Sequence, residues 1–187
     1  MRYSPEHKQL ARTKLIEAGA ALAKKEGFSN TGMDALMAAS GMTTGAFYSQ
    51  FTSKSEFLQE IISQELSKTL AIFEGKTPEE MLKVLAWYLS PNHVQQPEQG
   101  CPIPALGAEV GRASENTKQQ FEVLMVKIHA VLVPLVESEA AAWAILCQAV
   151  GGVMIARAMA SVEKRDEVLS SVLEQAQSTI KQTNTIT

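Results

Sequence analysis

The sequence predicts an all-α protein. Residues that favour helices, chiefly Ala, Leu, Glu, Lys, Gln and Met, dominate the 187-residue chain. Apolar residues recur at three- and four-residue spacing in segment after segment, and no sustained run favours a strand. Capping residues, glycines and prolines divide the chain into about nine predicted helices. A hydrophobic content of 45% is enough for a sizeable core.

The first predicted helix begins at Ser4 and Pro5, a capping residue followed by a proline whose missing amide costs nothing there. Its inner stripe contains Leu15. Gly19 lies on the same stripe, where the absence of a side chain allows another helix to pack closely. Gly27 is expected to end this helix.

Two short helices are predicted around a glycine turn. Residues 31–40 place apolar side chains on one stripe, and Gly41 can take the left-handed conformation that stops a helix. A second helix then starts at Thr43. Phe47 and Phe51, four residues apart, point inward, whereas the outer face has no long apolar side chain. A very short helix with a polar outer face after a glycine stop is typical of the second half of a helix-turn-helix.

Two capping boxes predict the next helix starts. Ser53 can accept a hydrogen bond from the amide of Glu56 while Glu56 reaches back to the amide of Ser53, so a fourth helix is expected from there to about residue 73. Thr77 and Glu80 form the second box, with Pro78 in the first helical position. This box predicts a fifth helix to about residue 89.

The second half of the chain predicts four more helices. Residues 90–100 are polar, so we expect a loop there. Helices are expected from about residue 101 to 113, from 115 to 136, from 139 to 162 and from 166 to 181.

Charge is distributed unevenly along the chain. Residues 1–55 hold seven Lys or Arg against four acidic residues, a net charge of +3. Residues 56–187 hold ten against sixteen, a net charge of −6. A basic head on an acidic body suits a head that meets phosphates, with Arg12 among the side chains able to reach a nucleic-acid backbone.

The sequence contains no recognisable enzyme signature. His7, His93 and His129 are scattered, and neither HExxH nor GxSxG occurs, so we expect no catalytic residues, metal site or cofactor. Cys101 and Cys147 are 46 positions apart without a CxxC pair, which argues against a disulfide framework or a zinc site. A reducing cytoplasm is therefore the expected compartment.

Targeting and membrane segments are not predicted. The N-terminus is charged and lacks the apolar region of a secretory signal. Residues 140–156 come nearest to a membrane span, but they fall at the short limit of length and carry Gln148 near the middle.

The segment from about residue 10 to residue 58 resembles the DNA-binding domain of the TetR family of bacterial one-component transcriptional regulators. The resemblance rests on an ensemble of residues: Gly27-Phe28, Gly41, Gly45, Phe47-Tyr48, Phe51 and Lys54. Two positions depart from the family pattern. Gly32 stands where Ser or Thr is frequent, and Thr44 where Lys or Arg is frequent, and both departures remove possible phosphate contacts.

The resemblance implies two domains and a regulatory function. Residues 1–52 are expected to form a three-helix helix-turn-helix domain, and residues 53–187 a helical domain for effector binding and dimerisation. The protein is expected to be a repressor that a small apolar or amphipathic effector releases from a palindromic operator. Direct base readout and phosphate contacts are assigned to Thr43, Thr44, Gly45, Ala46, Tyr48, Ser49, Gln50 and Lys54, with Thr43, Ser49 and Lys54 mostly on phosphates.

Candidate effector contacts are the apolar and polarizable side chains that the resemblance places around a cavity in the body. His129 is the obvious polar group among them. The full set is Trp87, Tyr88, Cys101, Phe121, Met125, His129, Trp143 and Cys147.

A homodimer is expected through the last two helices. The first of them is apolar nearly all round, and its small residues permit close approach of another backbone. These small residues are Ala149, Gly151, Gly152 and Ala156, and the final helix adds Val168, Leu169, Val172, Leu173 and Ala176.

A thiol-based sensor is the alternative to a ligand-responsive regulator. Cys101 stands at the predicted start of the sixth helix, where the helix dipole favours a thiolate, although Pro102 and Pro104 remove two amide donors. Residues 100–110 also resemble the segment that opens the sixth helix in one branch of TetR regulators. Cys147, in the middle of an apolar helix, is expected to be inert packing.

Overall fold

The structure is a computed structural model in which residues 5–184 are described. In that range every regular element is helical, as predicted, and there is one α-helix more than expected. The elements are α1 (Pro5–Glu26), α2 (Met33–Ser40), α3 (Thr44–Tyr48), α4 (Lys54–Phe73), α5 (Pro78–Tyr88), α6 (Pro91–Gln95), a 3₁₀ turn (Pro97–Gln99), α7 (Ile103–Val110), α8 (Glu115–Val136), α9 (Glu139–Ala158) and α10 (Val162–Asn184). Ser4, the predicted cap of α1, lies outside the described residues.

Four phenylalanines hold α1, α3 and α4 together. The ring centroid of Phe57 lies 4.8 Å from that of Phe51, 5.2 Å from that of Phe47 and 6.4 Å from that of Phe28. All four side chains are buried. A Cβ at Gly19 would overlap the Phe57 ring, which confirms that this glycine allows α4 to approach α1 closely.

The turn between α2 and α3 is built as the sequence predicts. Gly41 has φ of 65°, and its amide donates to the carbonyl oxygens of Ala38 and Met37 at the end of α2. Thr43 then caps α3, because its hydroxyl oxygen accepts from the amide of Ala46 at 3.2 Å. The glycine stop and the new cap therefore fix the angle at which α3 leaves α2.

The start of α4 differs in one detail from the predicted capping box. Ser53 accepts from the amide of Glu56 at 3.1 Å, as expected. The carboxylate of Glu56 instead accepts from the amide and the hydroxyl of Thr52, at 2.7 and 2.6 Å. Thr52 offers two donors one residue earlier, whereas Ser53 offers only its amide, so the carboxylate turns to Thr52. At α5 both halves of the predicted box, between Thr77 and Glu80, are present.

The prediction of a loop over residues 90–100 is wrong. Ser90 accepts from the amide of His93 at 3.3 Å and Pro91 takes the first helical position, which together start α6. The 3₁₀ turn follows directly. An element of five residues is too short to show helical periodicity, so only its cap and proline signal it in the sequence.

The body is a bundle in which α4 packs along α8, and α9 lies between α8 and α10. Two boundaries differ from the prediction: α9 ends at Ala158, and α10 begins at Val162. Ala149, Gly152 and Ala156 are buried within the protomer. Cγ2 of Val172 would lie 3.2 Å from a Cβ added at Gly152, which is tighter than usual, so this glycine serves the contact between α9 and α10.

The apolar face of α10 is also used within the protomer. Leu169 and Ala176 are 2% and 1% exposed. The prediction that these two side chains face a second subunit is wrong, because they complete the core against α9. Val168, Val172 and Leu173 are partly buried against the same core.

Two of the described helices, α8 and α9, are long and apolar enough to cross a membrane by length and composition alone. Only 33% and 39% of their most apolar windows are buried inside the protomer. The exposed remainder of α9 includes a stripe of apolar side chains, among them Trp143 and Met154.

Candidate nucleic-acid interface and effector cavity

The outer face of α3 is open to solvent. Tyr48 is 58% exposed, whereas the neighbouring Phe47 is fully buried. Thr43, Thr44, Gly45 and Ser49 are also exposed, so five of the eight predicted DNA contacts are accessible on one small surface. Their hydroxyls and backbone amides are groups that donate to phosphates and base edges.

Gln50 and Ala46 are half-buried, and Gln50 is held through its backbone. Arg12 of α1 donates from Nη1 to the carbonyl oxygen of Gln50 at 2.6 Å. The same guanidinium lies 4.1 Å above the ring of Phe51 and forms an ion pair of 3.2 Å with Glu60. From its charge, Arg12 was predicted to contact the DNA backbone. In the structure its guanidinium instead connects α1 to the end of α3 and to α4.

Lys54 is engaged inside the protein. Its ammonium donates to the carbonyl oxygen of Thr31 at 2.6 Å and lies 4.8 Å from the centroid of the Phe28 ring. An ammonium has three donors, so two of them remain for other partners. The position at the start of α4 therefore combines a structural bond with a charge next to the α3 surface.

A cavity opens in the body among α4, α5 and the start of α7. It has an outer chamber of about 160 Å³ and an inner chamber of about 20 Å³. The two chambers share Thr69, Phe73, Tyr88 and Cys101 as walls. Ile103, Ile128, Ile145 and Leu146 close the inner chamber, and Trp87 lines the outer one. The inner chamber is apolar apart from Thr69, Tyr88 and Cys101, and the outer chamber is also lined by Glu65, Lys68 and Gln99.

Tyr88 is the most unusual of these groups. Its hydroxyl oxygen is buried and has no hydrogen-bond partner of ordinary geometry among the described residues. Burial raises the pKa of Tyr88 well above its usual value, and the neighbouring Cys101 adds to the rise. The thiol is close enough to affect the phenol, but sulfur is a weak acceptor. Tyr88 therefore presents an un-ionised O–H donor in the cavity wall.

His93 locks the rim of the cavity. Its Nδ1 is 2.6 Å from the carbonyl oxygen of Tyr88, and its Nε2 accepts from the amide of Cys101 at 3.1 Å. These two bonds require a proton on Nδ1 and a lone pair on Nε2, so the ring is neutral. Burial lowers the pKa of His93, and the charges of Arg157 and Lys24 lower it further, against the opposing effect of the Tyr88 carbonyl.

Cys101 is 7% exposed. Burial raises the pKa of its thiol, although the Ile103 amide and the nearby Tyr88 and Thr69 hydroxyls act in the opposite direction. The thiol is consequently the stable form at neutral pH. The helix dipole that the sequence suggested as an activator is outweighed by burial, because a thiolate is costly away from water.

A buried ion pair connects the cavity to the DNA-binding head. Lys24 of α1 donates to the Glu65 carboxylate of α4 and to the carbonyl oxygen of Gly100 at 2.9 Å. Lys68, at the cavity mouth, also donates to Glu65 at 2.9 Å. Burial alone would raise the pKa of Glu65, but the hydrogen bonds from the two lysines hold it below its usual value. Glu65 and Gly100 both line the outer chamber.

A second concavity is a shallow apolar groove of about 290 Å³ on the outside of α7, α8 and α9. Met125, Trp143 and Cys147, all predicted effector contacts, line this groove and not the inner cavity. His129 stacks on Trp143 at 4.2 Å, and its Nε2 is 2.9 Å from the carbonyl oxygen of Glu139. Phe121, about one turn before Met125 on α8, packs against the core.

Comparison with known proteins identifies the head. The family model described as "Bacterial regulatory proteins, tetR family" matches residues 15–61, which run from α1 into α4 and include the whole helix-turn-helix. This head belongs to the TetR family of bacterial regulatory proteins. It is therefore the helix-turn-helix that the sequence predicted. Among curated proteins none matches the chain.

Solved structures extend the similarity to the whole TetR-family fold. The reduced form of NemR from E. coli has 21% identity and a TM-score of 0.74, with 90% of this chain and 95% of that chain covered. A TetR regulator from Chloroflexus aurantiacus has 19% identity and a TM-score of 0.75, covering 95% and 97%. FadR from Bacillus subtilis, solved with stearoyl-CoA, has 13% identity and a TM-score of 0.67, covering 89% and 97%. These likenesses concern the fold.

Within this TetR-family fold the predicted effector residues do not form one site. Tyr88, Cys101 and Trp87 line the inner cavity, whereas Met125, Trp143 and Cys147 line the outer groove. Sequence reasoning missed Thr69, Glu65 and His93 at the cavity. Nothing in the linear pattern marks the first two, which lie on the half-buried side of α4. The sequence did contain a signal for His93. Ser90 and Pro91 start a short helix, and the Ser90 side chain caps the amide of His93, which fixes the position of this residue.

Proposed function

We propose that this TetR-family protein is a dimeric repressor that a small effector releases from an inverted-repeat operator. The DNA-binding regulator follows from the family. One observation supports the rest: Lys24, on a helix of the DNA-binding head, donates to two groups of the cavity wall, Glu65 and Gly100. A ligand in the cavity that displaces either group changes the position of α1.

The proposed domain division follows the helix boundaries. Residues 1–52 form the head, and residues 53–187 form the effector-binding and dimerisation body, with the cap of Ser53 at the boundary. Since α4 runs without a break from Lys54 to Phe73, it belongs to the body and still carries the first turn that contacts the head. Movement of its cavity end is transmitted along one rigid helix.

For operator contacts we propose the exposed face of α3. Thr44, Gly45, Ala46, Tyr48 and Gln50 are assigned to base readout, with Thr43, Ser49 and Lys54 on phosphates. Tyr48 is proposed to contribute most to operator binding, since it is the largest accessible side chain of α3. Two heads in a symmetric dimer require half-sites about 34–36 Å apart, or a related spacing.

For the effector we propose the inner cavity, with Tyr88, Cys101 and Trp87 as contacts, and not the outer groove. FadR of B. subtilis was solved with stearoyl-CoA. The chambers described in this chain, about 160 and 20 Å³, suit a far smaller molecule. A ligand that prefers the released form by about 2–3 kcal/mol lowers operator affinity roughly 30- to 150-fold.

For the dimer we propose that α9 faces its copy. Trp143, Cys147, Gly151 and Met154 recur at three- or four-residue spacing on one side of α9, and this side is accessible in the protomer. The groove that they line is apolar and shallow, as expected for a surface that a second subunit covers. We therefore assign the contact with the second subunit to the outer stripe of α9 and not to the buried residues of α10.

The regulator is proposed to act in the cytoplasm, where its DNA is. A thiol-based repressor that acts through Cys101 remains the second candidate, supported by its position at the junction of the two chambers. The raised pKa of the thiol weighs against it, because the thiolate is the reactive form.

Selection of the protein on random duplexes, followed by a test of operator binding with and without candidate ligands, checks the proposal. We expect an inverted repeat, and an effector whose own affinity falls by the same factor when operator is present, as linkage requires. Equal effector affinity with and without operator rejects the coupling. Full ligand-dependent release in a Cys101→Ser variant supports the cavity, and loss of release in that variant supports the thiol.

A further inference from the structure

We infer that Tyr88 selects the ligand: the cavity takes a small uncharged molecule, about one six-membered ring in size, whose single hydrogen-bond acceptor receives the Tyr88 hydroxyl. The inference rests on the proposed effector cavity and names the chemical class that this cavity recognises. It starts from one observation, that the Tyr88 hydroxyl is buried without an ordinary partner in the part of the chain that the structure describes.

Of the two hydroxyls in the walls that the chambers share, Thr69 already donates to the carbonyl oxygen of Glu65 at 3.1 Å, which leaves Tyr88 as the hydroxyl donor for a ligand. A buried polar group without a partner is uncommon and costs free energy, so such a group in a cavity wall indicates a binding function. The remaining shared walls are Thr69, Phe73 and Cys101, and the inner chamber is closed by aliphatic side chains. The part of the ligand that enters the inner chamber must otherwise be apolar, whereas Glu65, Lys68 and Gln99 line the outer chamber.

The size of the ligand follows from the volumes of the chambers. An apolar cavity of about 150 Å³ binds a molecule such as benzene. The outer chamber measures about 160 Å³, and the inner one adds about 20 Å³, which is room for one small substituent. A single ring carrying a short carbonyl group fits this description.

The neutrality of the ligand follows from the surroundings. Burial disfavours the anions of both Tyr88 and Cys101 and also disfavours the cation of His93. The charges nearest the outer chamber compensate one another, because Lys24 and Lys68 both form ion pairs with Glu65. Neither a carboxylate nor an ammonium ligand therefore has a charge partner at the inner end.

Two probes of nearly equal shape test the inference. Acetophenone carries a carbonyl oxygen where α-methylstyrene carries a CH₂ group, and benzoate serves as the anionic probe. Titration calorimetry on the full chain should show acetophenone binding about tenfold more tightly than α-methylstyrene, with no saturable binding of benzoate. In Tyr88→Phe the preference should fall to within about twofold, while α-methylstyrene binds at least as well as before.

Ser170→Ala is the control, since it removes an exposed hydroxyl of α10 that is not among the walls of either chamber and should leave the tenfold preference unchanged. Persistence of the preference in Tyr88→Phe, tighter binding of benzoate, or no binding of either neutral probe to the wild-type protein overturns the inference. Operator binding is measured separately. A Tyr88-dependent preference without any effect on operator binding supports the ligand class and rejects the effector role, so the two failures are distinguishable.

Discussion

The ammonium of Lys24 in the DNA-binding head donates a hydrogen bond of 2.9 Å to the carbonyl oxygen of Gly100, on the wall of the proposed effector cavity. The same ammonium holds Glu65, and both charged side chains are buried. The bond joins two segments 76 positions apart in the sequence. Head and cavity are therefore connected by a direct contact as well as by the length of α4.

Substitutions at Lys24 should distinguish its contribution to the free energy of unfolding from its contribution to ligand-dependent release of the operator. Lys24→Met leaves the buried Glu65 with only Lys68 as a partner and should cost about 3 kcal/mol of unfolding free energy. The double variant Lys24→Met, Glu65→Leu removes both charges and should recover most of that loss, because an apolar pair replaces a buried ion pair.

Neither variant retains the bond to Gly100, so both should show weakened ligand-dependent release from the operator. Denaturant unfolding and operator titrations on the two variants check this. A double variant with wild-type stability and wild-type release would contradict a role for Lys24 in coupling.

Acidification should destabilise the protein through His93. Its pKa is lowered in the folded state, so the unfolded chain binds more protons just below its ordinary pKa of about 6.5. Stability is therefore complete above that pH and falls as the pH drops toward the lowered pKa, by at most about 1.4 kcal/mol per pH unit. Denaturant unfolding at several pH values should show this slope in the wild-type protein and a smaller one in His93→Gln. An equal slope in both proteins would assign the effect to other groups.

Gly100 should tolerate no side chain. A Cβ there would overlap Nε2 of His93, whose ring is held at both nitrogens, so the neighbour cannot move away freely. Gly100→Ala should cost about 1–3 kcal/mol. Gly107→Ala is the matched control, since its Cβ would lie 3.7 Å from Ile103, in ordinary contact, and alanine favours a helix interior. In thermal unfolding, the Tm of Gly107→Ala should equal or exceed that of the wild type, whereas the Tm of Gly100→Ala should be lower. An equal decrease of Tm in both variants would refute the steric argument.

Operator binding should depend differently on Tyr48 and Lys54. Tyr48→Ala removes an exposed side chain of α3 and should weaken the operator more than unrelated duplexes. Lys54→Ala should weaken all duplexes alike and lower the slope of log K against log salt by about one. Lys54→Ala also frees the Thr31 carbonyl, so unfolding must be measured in parallel. A folded variant with an unchanged slope would limit Lys54 to its bonds with Thr31 and Phe28.

Mild oxidation should join two copies through Cys147. This exposed residue lies near the midpoint of α9, and a two-fold axis through that midpoint brings both thiols within reach of a disulfide. Non-reducing electrophoresis should show a covalent dimer in the wild type and in Cys101→Ser, but not in Cys147→Ser. Absence of the covalent dimer from a protein that light scattering shows to be dimeric would place the axis elsewhere.

The sequence alone determined the helical elements and the DNA-binding head. Local chemistry sufficed there: Gly41 has the positive φ that stops α2, Thr43 and Ser53 cap the next helices, and Phe47 and Phe51 face the core at helical spacing. These signals act within a few residues of the chain, so a linear pattern contains them in full. The same signals exist at Ser90, but α6 is too short for periodicity to support them.

The cavity and the links to it were decided by tertiary structure. Lys24 is one of several lysines on α1, and only the packing of α1 against α4 and the 3₁₀ turn buries it beside Glu65 and Gly100. The sequence likewise cannot tell which apolar side of α9 or α10 meets its own protomer. Whether Cys101 is activated or silent depends on the balance between a helix start and burial, and burial is a property of the assembled fold.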